Sequence, residues 1–446
     1  MTTNLQIQSL REKFSSLENI KIFNDQTDIE KFSKDFYNYS PILTKQLSNC
    51  LADLVVKPTS IEAILAISKA CKKNKVPLTI RGSGTGNYGQ CVPLNGGVVM
   101  LMGAFKEIRS FRPETGEITV EAGCTLRDIE ITLNRKNRQL RLMPSTWRSA
   151  SIGGFIAGGS GGIGSVRWGF LRDPGHLLGI EVVTVEDDPK ILQLDATNSE
   201  ALNHAYGTNG IITALTIATA PLVRWQQVAI DCDNWSKAVE LLKACVASAI
   251  DIHLCTLLED KIVANLPDWS GEFTGKNRLL ILVAPDGIST LKRLTFSMGA
   301  SISFLASENL NSGKNFRELS WNHTTLHMRA IDTSWTYLQM LLPKNEIEVM
   351  EKLKSEWKDD LLWHLEAVYQ SGSQRIACLP LVKWKDNQSM EKLINQCKEL
   401  GAVVFNPHAI TVEDGGLGVI DGDQVSAKKL FDPTGILNPG KLKGWV

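Results

Sequence analysis

The chain has 446 residues, enough for at least two hydrophobic cores, which excludes a small disulfide-stapled scaffold. Its 48 Lys and Arg balance 48 Asp and Glu, so no net charge draws it to nucleic acid or to an anionic membrane. Nine cysteines stand singly with no C-x-x-C pair of the zinc type, and the N-terminus shows no apolar signal-peptide core; both features fit a reducing, cytoplasmic setting.

In chain order, residues 1–45 read as a helical lead-in, with Leu5, Leu10, Phe14 and Leu17 at near-helical spacing. The fold proper starts near Val55, with a helix opened by a Thr59-x-x-Glu62 capping box. The short strand VPLTIR then runs into RGSGTGNYGQ, the first of two glycine-rich segments. Strands follow at 98–101 and 118–121, then a helix from Thr125 to about Asn137. A second glycine-rich stretch, 144–169, leads into the strand LLGIEVVTVE, and GTNGIITALTIATAPL closes this half near Leu222. The stretch Ala205–Val223 is uncharged, but two glycines, an asparagine and a proline exclude a membrane span.

Beyond Arg224 strands alternate with helices. From Ser334 the order is strand, helix 345–358, strand LLWHLEAVY, strand RIACLPLV, helix 387–400 and strand AVVF, a βαββαβ ferredoxin-like unit. A looser copy precedes it, from VAIDC through the helix at 288–298, and the expected whole is one antiparallel sheet backed by helices. The fold class is therefore α+β, with divisions expected at 1–45, 46–224, 225–406 and 407–446.

Glycine is the most skewed residue: 19 of the 35 lie between Gly82 and Gly179. Closely spaced glycines let backbone N–H groups converge on an anion such as a diphosphate without interference from Cβ atoms. Neither glycine-rich loop ends in Gly-Lys-Ser/Thr, which excludes a Walker A loop. Gly159, Gly161 and Gly164 match G-x-G-x-x-G, with Glu181 downstream, but SIGGFIA is a poor strand and SVRWGFLRD a poor helix for a Rossmann unit binding NAD.

The ordered set RGSGTG, VEAGCTLRDI, PST with SASIGG, GGSGG, RWG and LLGIEVVT, GTNGIIT and DPTGILNPGK resembles the vanillyl-alcohol oxidase and p-cresol methylhydroxylase (PCMH) type of FAD-linked oxidoreductase. The pattern is nearest to the D-lactate and glycolate dehydrogenase branch, although the metal motif H-x-G-D-G-N-x-H of that branch is missing. The resemblance implies a two-lobed PCMH-type FAD-binding domain and a substrate-binding cap. It also implies an enzyme that oxidises a CH–OH group of a hydroxy acid or alcohol by hydride transfer to flavin N5. Motif matching assigns FAD contacts to Arg81, Gly82, Ser83, Gly84, Thr85, Gly86 and Asn87 in the first loop. Along the ribityl chain and flavin it assigns Pro144, Ser145, Ser151, Ile152, Gly153 and Gly154. Ser165, Trp168 and Gly169 correspond to the RYG-like motif, Ile211 and Ile212 to the adenine end, and Asn438 and Lys441 to a C-terminal segment returning to the flavin. The first loop lacks the His of covalent members, which implies non-covalent FAD; Cys124 is the alternative anchor and reads as a packed small hydrophobe.

Dehydrogenation needs a base for the hydroxyl proton. His323 lies at i, i+4 with His327 but lacks the carboxylate of H-E-x-x-H, so it stands as a base rather than as a metal ligand, and no metal is assigned. His364 and Glu366 share one strand face, which suits a pocket wall or an exposed edge. His408 precedes the returning tail, and Arg329 and Arg375 are candidate clamps for a substrate carboxylate. The expected partners are a small-molecule substrate and an electron acceptor of unspecified kind, in a chain compatible with a homo-oligomer. Two other readings remain: a flavin-binding protein with a lost or regulatory redox role, and an NAD-linked Rossmann dehydrogenase.

Overall fold

A computed structural model describes residues 3–272 and 274–445. Four sheets organise the chain. The first has the strand order Ile20–Phe23, Leu54–Pro58, Val98–Leu101, Leu78–Arg81, and its last three strands are parallel. Parallel strands need a crossover, and here the helix Ile61–Lys73 joins Leu54–Pro58 to Leu78–Arg81, which flank Val98–Leu101; its apolar face buries Ile64, Ile67 and Cys71. Ser60, not Thr59, caps that helix, with its hydroxyl accepting from the Ala63 N–H. The lead-in is helical only in part, because Ile20–Phe23 adds an antiparallel edge strand to this sheet.

The second sheet is antiparallel, ordered Ile108–Arg112, Glu117–Glu121, Ile211–Pro221, Leu177–Val183, Ile191–Asp195, with Arg138–Leu140 also pairing the long central strand. The glycine-rich loops lie beside these two sheets. Gly159 ends the helix Ile152–Gly158 instead of following a strand, and the segment after Gly164 is a single turn, Ser165–Trp168. The Rossmann match is therefore accidental in its spacing.

After Pro221 the chain enters an eight-stranded antiparallel sheet at Gln226–Cys232. Its first four strands in sequence are Gln226–Cys232, Ile252–Leu258, Asn277–Val283 and Ser301–Ser307, and they lie side by side in the order fourth, first, third, second. The other four, Gln339–Leu341, His364–Gln370, Ser373–Cys378 and Val403–Phe405, repeat that order in mirror image. Two ferredoxin-like units thus share one sheet. They join through their second strands, with Thr256 opposite Glu366 and Leu258 opposite His364. The helices Trp235–Ala247, Glu346–Trp357 and Asn387–Glu399 cover one face and bury Leu241, Leu353 and Leu393. Three strand runs read as continuous in sequence each break, and their short pieces Trp335–Tyr337, Leu361–Leu362 and Leu381–Lys383 form a separate three-stranded sheet.

Among the described residues no helix is long and apolar enough to cross a membrane, and no group of three or more His, Cys, Asp or Glu side chains is placed to hold a metal ion.

Candidate active site

One cavity of about 840 Å³ runs from the glycine-rich loops to the face of the eight-stranded sheet. That volume lies in the upper part of the range for small-molecule and cofactor sites. Its glycine-rich wall is built for close approach. Gly84 has φ +69°, and a Cβ there would stand 2.1 Å from Arg81 Nη2. Gly153 is pressed against Ala122, whose Cβ and carbonyl oxygen would both fall within 3 Å of a new Cβ. Ser151 also lines this wall, with its Oγ buried and without a partner among the described residues. A bare-backbone cradle and an unsatisfied hydroxyl are what a dinucleotide needs from a protein that offers it little charge.

Of the residues assigned from motifs, Gly82, Ser83, Gly84, Thr85, Gly86, Asn87, Pro144, Ser145, Ser151, Gly153, Gly154 and Ile212 line this cavity. The rest do not, and each has a structural occupation. Arg81 lies under the first loop, where its Nη1 donates to Lys34 O at 2.7 Å and to Cys91 Sγ at 3.2 Å. Ile152 and Ile211 are core residues. The Ser165 hydroxyl accepts from the Gly162 N–H, and the guanidinium groups of Arg141 and Arg167 each lie over the Trp168 ring, with Gly169 closing that turn. Asn438 donates to the carbonyls of Gln90 and Tyr206, and buried Lys441 donates to Gly89 O at 2.6 Å. The C-terminal segment thus braces the first loop from behind. Cys124 is also outside the cavity, its thiol donating to Glu107 O and pushed up to about 12 by burial.

A further part of the lining comes from the segment before the helix Asn322–Ile331 and from its first residues. His323 belongs to it, with Nδ1 3.3 Å from Glu318 Oε2 and no partner for Nε2 among the described residues. Glu318 Oε1 in turn accepts from Arg148 Nε at 2.7 Å. Burial acts to raise the Glu318 carboxyl, but the hydrogen bonds and charges of His323 and Arg148 outweigh it and hold the group below the usual carboxylate range. The result is an imidazole oriented by an anion that is itself fixed by a cation.

His364 and Glu366 are not part of this lining. Their strand is central in its sheet, and both side chains are wholly buried. Glu366 Oε1 accepts from His364 Nε2 at 2.8 Å and from the Trp321 backbone N–H at 2.7 Å, while Oε2 accepts from Thr256 Oγ1. Trp321 has φ +51° and ψ −139°, a strained conformation for a residue with a side chain, directly before the helix that carries His323. His408 is buried outside the cavity, its Nδ1 bonded to Ser40 Oγ, and burial pushes it down to about 4. Arg329 donates to three backbone carbonyls and lies over the Tyr39 ring, and Arg375 donates to Leu342 O. Neither reaches the cavity.

Sequence reasoning missed Glu318, Arg148 and the aromatic pair Phe36 and Tyr39, all of which line it. Arg148 sits between the quoted PST and SASIGG strings, and the FYNY string of the lead-in was a visible signal. The spacing of Glu318 from His323 matches no regular period and offered none.

Residues 52–194 match the family described as FAD binding domain. The chain carries an FAD-binding domain. It is 24% identical to glycolate oxidase subunit GlcD of Escherichia coli (strain K12), a match spanning 98% of this chain and 90% of that protein. It is 24% identical to D-lactate dehydrogenase of Archaeoglobus fulgidus, over 87% of this chain and 91% of that one. The structure resembles alkyldihydroxyacetonephosphate synthase with a TM-score of 0.75 at 14% sequence identity, covering 98% of this chain and 86% of that one, a likeness of fold.

Proposed function

We propose that the protein is an FAD-dependent oxidoreductase that oxidises a CH–OH group, with His323 taking the hydroxyl proton. The observation that carries this is the chain Arg148, Glu318, His323 lining the same cavity as the glycine cradle. In this reading residues 46–224 hold non-covalent FAD, 225–406 cover the substrate and 407–446 brace the cofactor loop. Bound FAD supplies a two-electron hydride acceptor. Everything else falls to the chain's own groups. His323 Nε2 is free to accept a proton, and Glu318 at Nδ1 fixes the ring orientation and stabilises the imidazolium that forms. The names of the relatives, a glycolate oxidase subunit and a D-lactate dehydrogenase, support the reaction class.

Anaerobic stopped-flow reduction of the purified flavoprotein tests the assignment. His323→Ala is expected to keep the bound-flavin spectrum and to slow reduction by ~100-fold, with Glu318→Gln intermediate. Reduction by His323→Ala at the wild-type rate would remove His323 from the role.

A further inference from the structure

The turn between the helix Ala196–Ser199 and the long strand Ile211–Pro221 holds a conformation that its sequence does not favour. His204 has φ +56° and Tyr206 φ +52°, and for a side chain as bulky as tyrosine the left-handed region is an outlier. Gly207 follows at φ +67°, so only one of three left-handed residues here is a glycine. Both aromatic residues are pinned from outside. The His204 N–H donates to Ile156 O and the Tyr206 N–H to Ala157 O, each at 2.8 Å, along the helix Ile152–Gly158. His204 Nδ1 donates to Gly159 O at 2.8 Å, and Tyr206 O accepts from Asn438 Nδ2 at 2.6 Å. The two rings meet edge to face with centroids 5.3 Å apart, and both residues line the cavity. Strain that the surroundings hold in place at a cavity wall marks a side chain whose direction matters.

The Tyr206 ring packs with Val412 and Leu442 and the residue is 3% exposed, yet its hydroxyl has no hydrogen-bond partner among the described residues. A buried phenol normally finds one, so an open phenol on a cavity wall calls for an acceptor on a ligand. Burial first, then the neighbouring Tyr88, Asp35 and Glu413, push the group well above the usual phenol range, so it keeps its proton and is available as a donor. Its place identifies the ligand's reacting end. Asn438 Nδ2 donates to the carbonyls of both Tyr206 and Gln90, which joins this turn to the end of the first glycine-rich loop. A Cβ at Gly415 would stand 3.1 Å from Tyr206 Oη and 3.4 Å from Tyr88 Cδ1, and the Tyr88 hydroxyl donates to Gln339 of the eight-stranded sheet. Tyr206 therefore stands where the cofactor loops meet that sheet. A redox ring that is to reach a substrate under the sheet has to lie on that side, and a flavin ring carries nitrogen and carbonyl acceptors on its edge.

Resting on the FAD reading of the preceding section, we infer that Tyr206 binds the flavin ring, its hydroxyl donating to an acceptor on the ring edge, and that His204 holds the phenol at the angle this requires. Neither residue belongs to the glycine-rich motifs.

The test uses the full chain freed of flavin and titrated with FAD, with ADP as a competing probe of the adenine end. Tyr206→Phe keeps the packed ring and removes only the donor. It should bind FAD ~10-fold more weakly, bind ADP as the wild type does, and shift the visible absorption bands of the bound flavin. His204→Asn keeps a residue that tolerates the left-handed backbone and a donor for Gly159 O, and it should change FAD affinity and spectrum in the same direction by less. Urea unfolding of the flavin-free Tyr206→Phe protein should coincide with the wild type, which separates lost binding from lost folding. Wild-type FAD affinity and spectrum in Tyr206→Phe overturn the inference. Equal weakening of FAD and ADP overturns it too, by moving the phenol to the adenine end. A wild-type flavin that no hydroxy compound reduces sinks the oxidoreductase reading alone, because none of these measurements needs turnover.

Discussion

Single residues at this site are constrained by what surrounds them more than by what they are. Gly84 combines a left-handed backbone with an Arg81 guanidinium pinned in place behind it. A valine there meets both obstacles, so Gly84→Val should purify colourless, with no flavin absorption and little recovery on adding FAD. Glu366 illustrates the opposite case, a charged residue kept from the reaction. Three donors converge on its carboxylate, and one of them is the N–H of the strained Trp321. Glu366→Ala should lower unfolding free energy by about 3 kcal/mol, since it strands buried donors. Glu366→Gln keeps one acceptor oxygen for Trp321 and should reduce flavin within about threefold of the wild-type rate, the behaviour of a positioning group rather than a base. A ~100-fold loss with Glu366→Gln at unchanged stability would return it to the candidates for base.

At the scale of elements, the tail shows where motif reading and structure part. The segment around Leu437 runs beside the strand Leu78–Arg81, with Leu78 N–H donating to Ile436 O and Asn438 N–H to Leu78 O. From that edge Lys441 reaches the carbonyl of Gly89 in a fully buried position, and burial pushes the ammonium down to about 8. In the unfolded chain the same group titrates near its ordinary value of 10.5. The unfolded state therefore binds more protons between about pH 8 and 10.5, and this residue's contribution makes stability rise with pH across that window. Lys441→Met should abolish that rise, a difference of up to about 3 kcal/mol measured by urea unfolding of both proteins at pH 8 and pH 10.5. Parallel curves for the two proteins would mean that Lys441 is not buried as a cation.

The elements themselves were largely legible because each carries a period or a cap. The helix Leu126–Asn134 starts at Thr125, whose hydroxyl accepts from the Asp128 N–H, and the helices of the ferredoxin-like units alternate apolar and polar faces. The joining of the two units was not legible. All seven residues of Ile252–Leu258 are buried, so the strand has no alternation to say which edge is paired. The same physics hid the His364 and Glu366 pair. A period of two places them on one face but cannot say whether that face opens to a pocket or closes on mutual hydrogen bonds.

At the scale of the molecule, residues 34–40 tie the cofactor loop to the three-stranded sheet, the helix Asn322–Ile331 and the segment around His408. On one side Lys34 O accepts from Arg81 and the Phe36 N–H donates to Gly86 O at 2.8 Å. On the other, Tyr39 O accepts from Thr336 Oγ1 at 2.6 Å, Asn38 O from Arg329 at 2.9 Å, and Ser40 Oγ is bonded to His408. Phe36 and Tyr39 line the cavity between these anchors. A strap held at both ends has to loosen before a bound dinucleotide leaves, so its anchors govern the rate of cofactor release more than the chemistry. Replacing Thr336 by Val and Arg329 by Ala together should speed FAD dissociation by ~10-fold, followed as the gain of flavin fluorescence on dilution. Because FAD binds only the folded chain, the same variant should lose part of the thermal stabilisation that added FAD gives the wild type. The rate of flavin reduction at saturating substrate should stay near the wild-type value, since neither Thr336 nor Arg329 is itself among the residues lining the cavity. An unchanged release rate would show that the strap's anchors do not gate the cofactor.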